Sequence, residues 1–144
     1  MSIRLVVAVG VIFGLFSFAG QVGADEHSVA TLPAVVVKTE PQAGLTDVDP
    51  SIKEIKVTYS KKMLDKSWSW GQISDETALK STGKPRYLKD GKTCVLPVKL
   101  EPGHTYVVQL NALDGHFANF KDQQRQPAVA YLLVFETRKS GAEK

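Results

Sequence analysis

The sequence predicts an all-β protein: a two-layer antiparallel sandwich of about seven short strands behind an export leader. Three observations carry this. Apolar and polar residues alternate along several short segments, as in Ile55, Val57 and Tyr59 set between Glu54, Lys56, Thr58 and Ser60. Turn-forming pairs such as Asp90-Gly91 and Pro102-Gly103 punctuate those segments. After the leader, no stretch keeps a helical period.

The leader comes first. Arg4 precedes an apolar run from Leu5 to Ala19, small and less apolar residues follow to Ala24, and charges begin at Asp25 and Glu26. That order is the pattern of a secretory signal. Val22 and Ala24 suit the positions before a cut, and Ser17 and Ala19 offer a second site. The alternative is an uncleaved anchor, because the uncharged stretch is about 20 residues, the length that spans a bilayer. The expected division is a signal peptide over 1–24, a linker over 25–33, the sandwich over 34–137 and a flexible polar tail over 138–144.

Within the sandwich, the β-branched run Val35-Val36-Val37 predicts a first strand, broken by the segment from Glu40 to Gly44. Asp47 and Asp49 flank a second polar turn and suit side-chain capping of nearby amides. Glu54 to Ser60 is the clearest strand, with one face buried and one in water. Trp68 and Trp70 are two apart, so on a strand both indoles share a face, with Ile73 on the other. At least one ring is expected in the core, as in sandwiches that bury a tryptophan on a central strand. Asp75 to Lys84 reads as irregular. Arg86-Tyr87-Leu88 and Thr93-Cys94-Val95-Leu96 flank Asp90-Gly91, a hairpin signal, because the tight turn needs positive φ. Pro102-Gly103 then leads into Tyr106, Val108 and Leu110. A tyrosine just after such a turn, at the start of a late strand, predicts a tyrosine corner, its ring buried and its hydroxyl bonded to backbone a few residues upstream. Phe117 and Phe120 are expected to pin the long connection from Ala112 to Pro127, and Tyr131 to Phe135 is the last strand.

Composition excludes some functions. The chain carries 18 basic and 15 acidic side chains, and no basic run exceeds Lys61-Lys62. Neither nucleic acid nor an anionic membrane surface is an expected partner; the membrane enters only through the leader, if it is retained. The single cysteine, Cys94, permits no internal disulfide and reads as a small buried hydrophobe. Without a cysteine two residues after Tyr106, the domain is closer to fibronectin III-like sandwiches than to antibody domains.

Several stretches carry a resemblance: Val37-Lys38-Thr39-Glu40-Pro41 with Gly44, Thr46 to Pro50, Ile55 to Met63, Leu100 to Tyr106, and Phe135-Glu136-Thr137. In these the chain resembles the bacterial Ig-like domain of the SbsA surface-layer type, from roughly Pro33 to Thr137. The resemblance implies an exported, non-enzymatic immunoglobulin-like sandwich, periplasmic or at the cell surface, with no shared active site to transfer. That family often places a glycine a few residues after the aspartate of the last long loop, whereas Gln123, Gln124 and Arg125 follow Asp122 here.

No nucleophile elbow, zinc-protease motif or phosphate loop is present, and His27, His104 and His116 are far apart in sequence. The expectation is a non-catalytic module without a cofactor, contacting an envelope or extracellular protein. Lys61, Lys62, Asp65, Trp68, Trp70, Phe117 and Asn119 are the candidate binding residues; Asp90, Gly91, Pro102, Gly103 and Tyr106 are the structural ones. One alternative is a periplasmic copper-binding protein: a cut after Ala24 exposes Asp25-Glu26-His27, whose amine, amides and imidazole could form a square-planar nitrogen site. A second is a carbohydrate-binding module built on Trp68 and Trp70.

Overall fold

The computed structural model describes residues 27–141. The predicted signal peptide, with Asp25 and Glu26, and residues 142–144 lie outside them. Eight strands follow in order: β1 (Val36–Glu40), β2 (Glu54–Tyr59), β3 (Trp70–Gln72), β4 (Lys80–Ser81), β5 (Arg86–Tyr87), β6 (Thr93–Lys99), β7 (Thr105–Leu110) and β8 (Tyr131–Glu136). One sheet runs β1-β2-β6 and shares the far edge of β6 between β4 and β5; the other runs β3-β7-β8. The strand pairs are antiparallel. This is the four-plus-three order of the immunoglobulin sandwich, with its fourth strand in two pieces.

Alternation builds the core. Ile55, Val57 and Tyr59 of β2 are buried to within 1% of completely, facing Val108 and Leu110 of β7 and Leu133 and Phe135 of β8 in one cluster. Tyr106 is buried, and its hydroxyl accepts the Glu101 amide at 2.8 Å, closing the corner five residues upstream. Asp90 builds the β5–β6 turn: its carboxylate accepts the Lys92 and Thr93 amides and the Thr93 hydroxyl, while Gly91 sits at φ +65°.

The structure differs from the sequence reading in several places. There are eight strands because Pro97 divides one. The Val98 amide donates to Lys53 on the β2 side of β6, so the position of Pro97 faces the β4/β5 side, where proline has no N–H to offer. The ladder breaks there, and Gly83 lies against the Pro97 ring. The first strand is shifted to Val36–Glu40, with an irregularity between Val36 and Lys38 that leaves Val35 and Val37 exposed. Ile73 lies beyond β3 and is exposed. Arg138 is tied in, its amide donating to Val48 and its guanidinium paired with Asp49.

The long connection from β7 to β8 is held by two buried polar residues. Asn111, 2% exposed, donates to the carbonyls of Phe120 (3.0 Å) and Ala128 (2.9 Å) and accepts the Phe120 amide (2.8 Å). It does so at φ +59°, a region asparagine tolerates better than most residues. Asp122 accepts the Gln124 and Gln126 amides on one oxygen, and the Lys61 ammonium lies 2.7 Å from the other. Burial alone would raise the Asp122 carboxyl; Lys61 and the two amides outweigh it and hold it below the usual aspartate value. The glycine missing after Asp122 is replaced by Arg125, which takes the left-handed conformation at φ +66°. Phe120 is fully buried, packed on Tyr59 (5.2 Å between ring centres) and edge-on to Trp70 (5.6 Å). Phe117, expected to pin the loop as well, is instead 68% exposed.

Replacing Asn111 with Ala would strand buried amide and carbonyl groups and force alanine into the left-handed region, costing about 3 kcal/mol. Urea denaturation reads the loss, and amide exchange at Phe120 would accelerate. Because the Asp122 carboxyl titrates lower folded than unfolded, its stabilisation is complete above the unfolded aspartate value near 3.8 and is lost as pH falls through the folded one. Asp122→Asn should therefore flatten the acid limb of a stability–pH curve below about pH 4; an unchanged limb would refute the assignment.

Candidate functional site

A cleft of about 650 Å³ follows β3, an edge of the three-stranded sheet. Trp68 and Trp70 line it, both half-buried against the core, and Leu79 faces them from beside β4. Leu96 and Val108 form apolar floor, while Gln72, Gln109 and Asn119 supply neutral amides. In a chain with 23% charged residues, none lines this cleft.

Local chemistry fixes the rim. The hydroxyl of Ser67 donates to the Asn119 carbonyl, and that of Ser69 to the Phe117 carbonyl at 3.1 Å. The Ala112 amide donates to the same Phe117 carbonyl at 2.6 Å. The two serines that alternate with the tryptophans thus anchor the 117–119 segment, and the Phe117 ring stands in solvent on a fixed backbone. Trp70 Nε1 is enclosed and meets no oxygen or nitrogen acceptor among the described residues; it faces the Cys94 sulfur, a weak acceptor. Burial pushes the Cys94 thiol up to about 12, against smaller lowering effects led by the Trp70 contact, so this thiol stays protonated and inert.

Of the residues singled out in the sequence, the structure gathers Trp68, Trp70, Phe117 and Asn119 at this cleft. Lys61 is elsewhere, engaged with Asp122 and with the Ala30 carbonyl. Lys62 is exposed, its stem near Gly91. Asp65 is exposed and borders a smaller cleft with Met63, Tyr87 and Leu88. Gln72, Gln109 and Leu79 are cleft residues that the sequence reading missed; they join it through the β3–β7 register and the β4 crossing, neither of which leaves a local signal. Pro102 and Gly103 stand at the tyrosine corner, where the Gly103 amide donates to Arg138. His104 stacks on Tyr106 at 4.5 Å, His116 is exposed in the loop, and His27 is exposed at the start of the described chain. Among the described residues no group of three His, Cys, Asp or Glu is placed to hold a metal ion.

Fold and site together define an all-β sandwich with a neutral, aromatic cleft at one sheet edge. No family model and no curated protein matches the chain. Among solved structures it is similar to three of the surface-layer protein SbsC, each at 20% identity over 76% of this chain. They are domains 1–6 (TM-score 0.49, 14% of that chain), rSbsC(31–844) (0.48, 14%) and the N-terminal part (0.49, 24%). The present chain thus spans a quarter or less of each.

Cys94 should remain unmodified by an aromatic disulfide reagent in the native protein at about pH 8 and react fully once denaturant exposes it. Rapid native labelling would mean that the floor beneath Trp70 opens to solvent.

Proposed function

We propose that this chain is a non-catalytic, exported Ig-like module that works by binding another protein of the bacterial cell envelope or surface, with the cleft along β3 as its contact site. One observation carries the reading: two indoles, the exposed Phe117 ring and several neutral amides converge on a cleft without a single ionisable wall. Such a lining offers apolar area and hydrogen bonds and no acid, base or activated nucleophile. The export leader and the SbsA-type resemblance of the sequence agree with this role.

A neutral glycan is the second reading, favoured by the same pairing of indole faces with amides. The copper alternative rests on Asp25 and Glu26, which lie outside the described residues, together with His27.

Phe117→Ser tests the site, because that ring is exposed and its removal leaves the core intact. In affinity capture from envelope extract, the native protein should retain a defined partner and the variant should lose it by about tenfold, roughly 1.4 kcal/mol at one interface aromatic. Equal capture by both proteins would place the contact elsewhere.

A further inference from the structure

The two sheets of this sandwich end in four edges, and three are protected by devices that block pairing with other chains. The β8 edge is covered by the segment 44–48, which pairs with it through bonds such as Gly44 to Val134 and Val48 to Glu136. The β1 edge carries an irregularity and the charges of Lys38 and Glu40. The β4/β5 edge is split into two-residue strands carrying Lys80 and Arg86, with Pro85 between them. The β3 edge is short too, at three residues, but it carries no bulge, charge or proline. From Ser67 to Ser74 the chain has no charge and no proline, and Ile73 just beyond the strand is 59% exposed.

The cleft lies along that edge. Every residue from Trp68 to Gln72 borders it, although successive side chains of a strand point to opposite faces. Five consecutive residues share one cavity when the cavity follows the strand's side, where main-chain groups project. The Asn111 amide donates to the Ser69 carbonyl, and the register pairs Gly71 with Gln109. Ser69 and Gly71 therefore turn their amides and carbonyls toward β7, and those of Trp70 and Gln72 point into the cleft.

We propose that the β3 edge receives an extended, uncharged peptide segment of a partner protein, which adds as a strand beside Trp70 and Gln72 and seats alternate apolar side chains between the indoles and Leu79. This rests on the binding role of the cleft and specifies how binding is done. The neutral lining selects a neutral segment, since a charged side chain would be desolvated there without a counter-ion. A second copy of this chain fits less well, because two-fold pairing of β3 with itself sets one concave edge against another.

The test uses blocked hexapeptides with Val, Leu, Phe or Tyr at odd positions and Ser, Thr or Gln at even ones. The best binder should slow amide exchange at Trp70 and Gln72 by at least about tenfold. Methylating one alternate set of its amide nitrogens should weaken binding about tenfold, and methylating the other set should not. On the protein side, Gln72→Pro removes an outward N–H, a substitution edge strands accept, and should abolish binding with thermal unfolding unchanged; the methylated peptides report independently if that variant misfolds. Three results would overturn strand addition: no hexapeptide protecting either amide, concentration-dependent dimers in sedimentation that Gln72→Pro dissolves, or cellohexaose or chitohexaose binding without amide protection. In the last two the cleft is still a binding site while the strand mechanism falls, and oligosaccharide binding would move the proposed role to the glycan reading. If Phe117→Ser also kept its captured partner, both would fall.

Discussion

Asn111 is the residue on which one whole end of the molecule depends. It ends β7 in a left-handed turn and bonds three times to the connection that leads to β8. Those bonds place Phe120 so that its ring enters between Tyr59 of one sheet and Trp70 of the other. Without that ring the end of the sandwich would hold a void, a defect that costs several kcal/mol in a close-packed interior. The same bonds leave the 112–119 stretch to fold back over the segment that precedes β3, where Ser67 and Ser69 take hold of it. A buried polar side chain here performs a task that hydrophobic packing alone performs poorly, because it specifies which backbone atoms meet.

The Lys61–Asp122 pair extends that clasp. Asp122 is fully buried and Lys61 nearly so, an arrangement that costs desolvation on both sides and is tolerable because two backbone amides share the carboxylate. Lys61 also reaches the Ala30 carbonyl. One ammonium thus links the entry of the chain, the end of β2 and the last long loop. In sequence Lys61-Lys62 looks like a solvated doublet; in space only Lys62 is one.

Local rules made the framework legible. The alternation in β2, the Asp90-Gly91 turn and the tyrosine after Pro102-Gly103 each lie within a few residues of the bonds they predict. Features decided at long range were not legible. Phe117 and Phe120 are three apart and chemically alike, yet Asn111 buries one and leaves the other in water. Pro97 splits a strand because of the direction its missing N–H would face, which depends on the register with β2. Arg125 takes a backbone region usually left to glycine, because Asp122 and its amides fix the turn around it. The cleft was half legible: the paired tryptophans and Phe117 stand out in sequence, whereas Gln72, Gln109 and Leu79 join them through strand pairing alone.

The segment after β1 leaves the four-stranded layer and runs alongside β8, in the same direction, through bonds of 2.7 Å from Gly44 to Val134 and from Glu136 to Leu45, and bonds of 3.0 Å and 2.9 Å around Val48. Since the two stretches are parallel, tension drawn between the two ends of the domain would load all four bonds at once, sideways to their length, and not peel them one after another. A fold wired in this way resists mechanical extension better than one whose terminal strands part bond by bond.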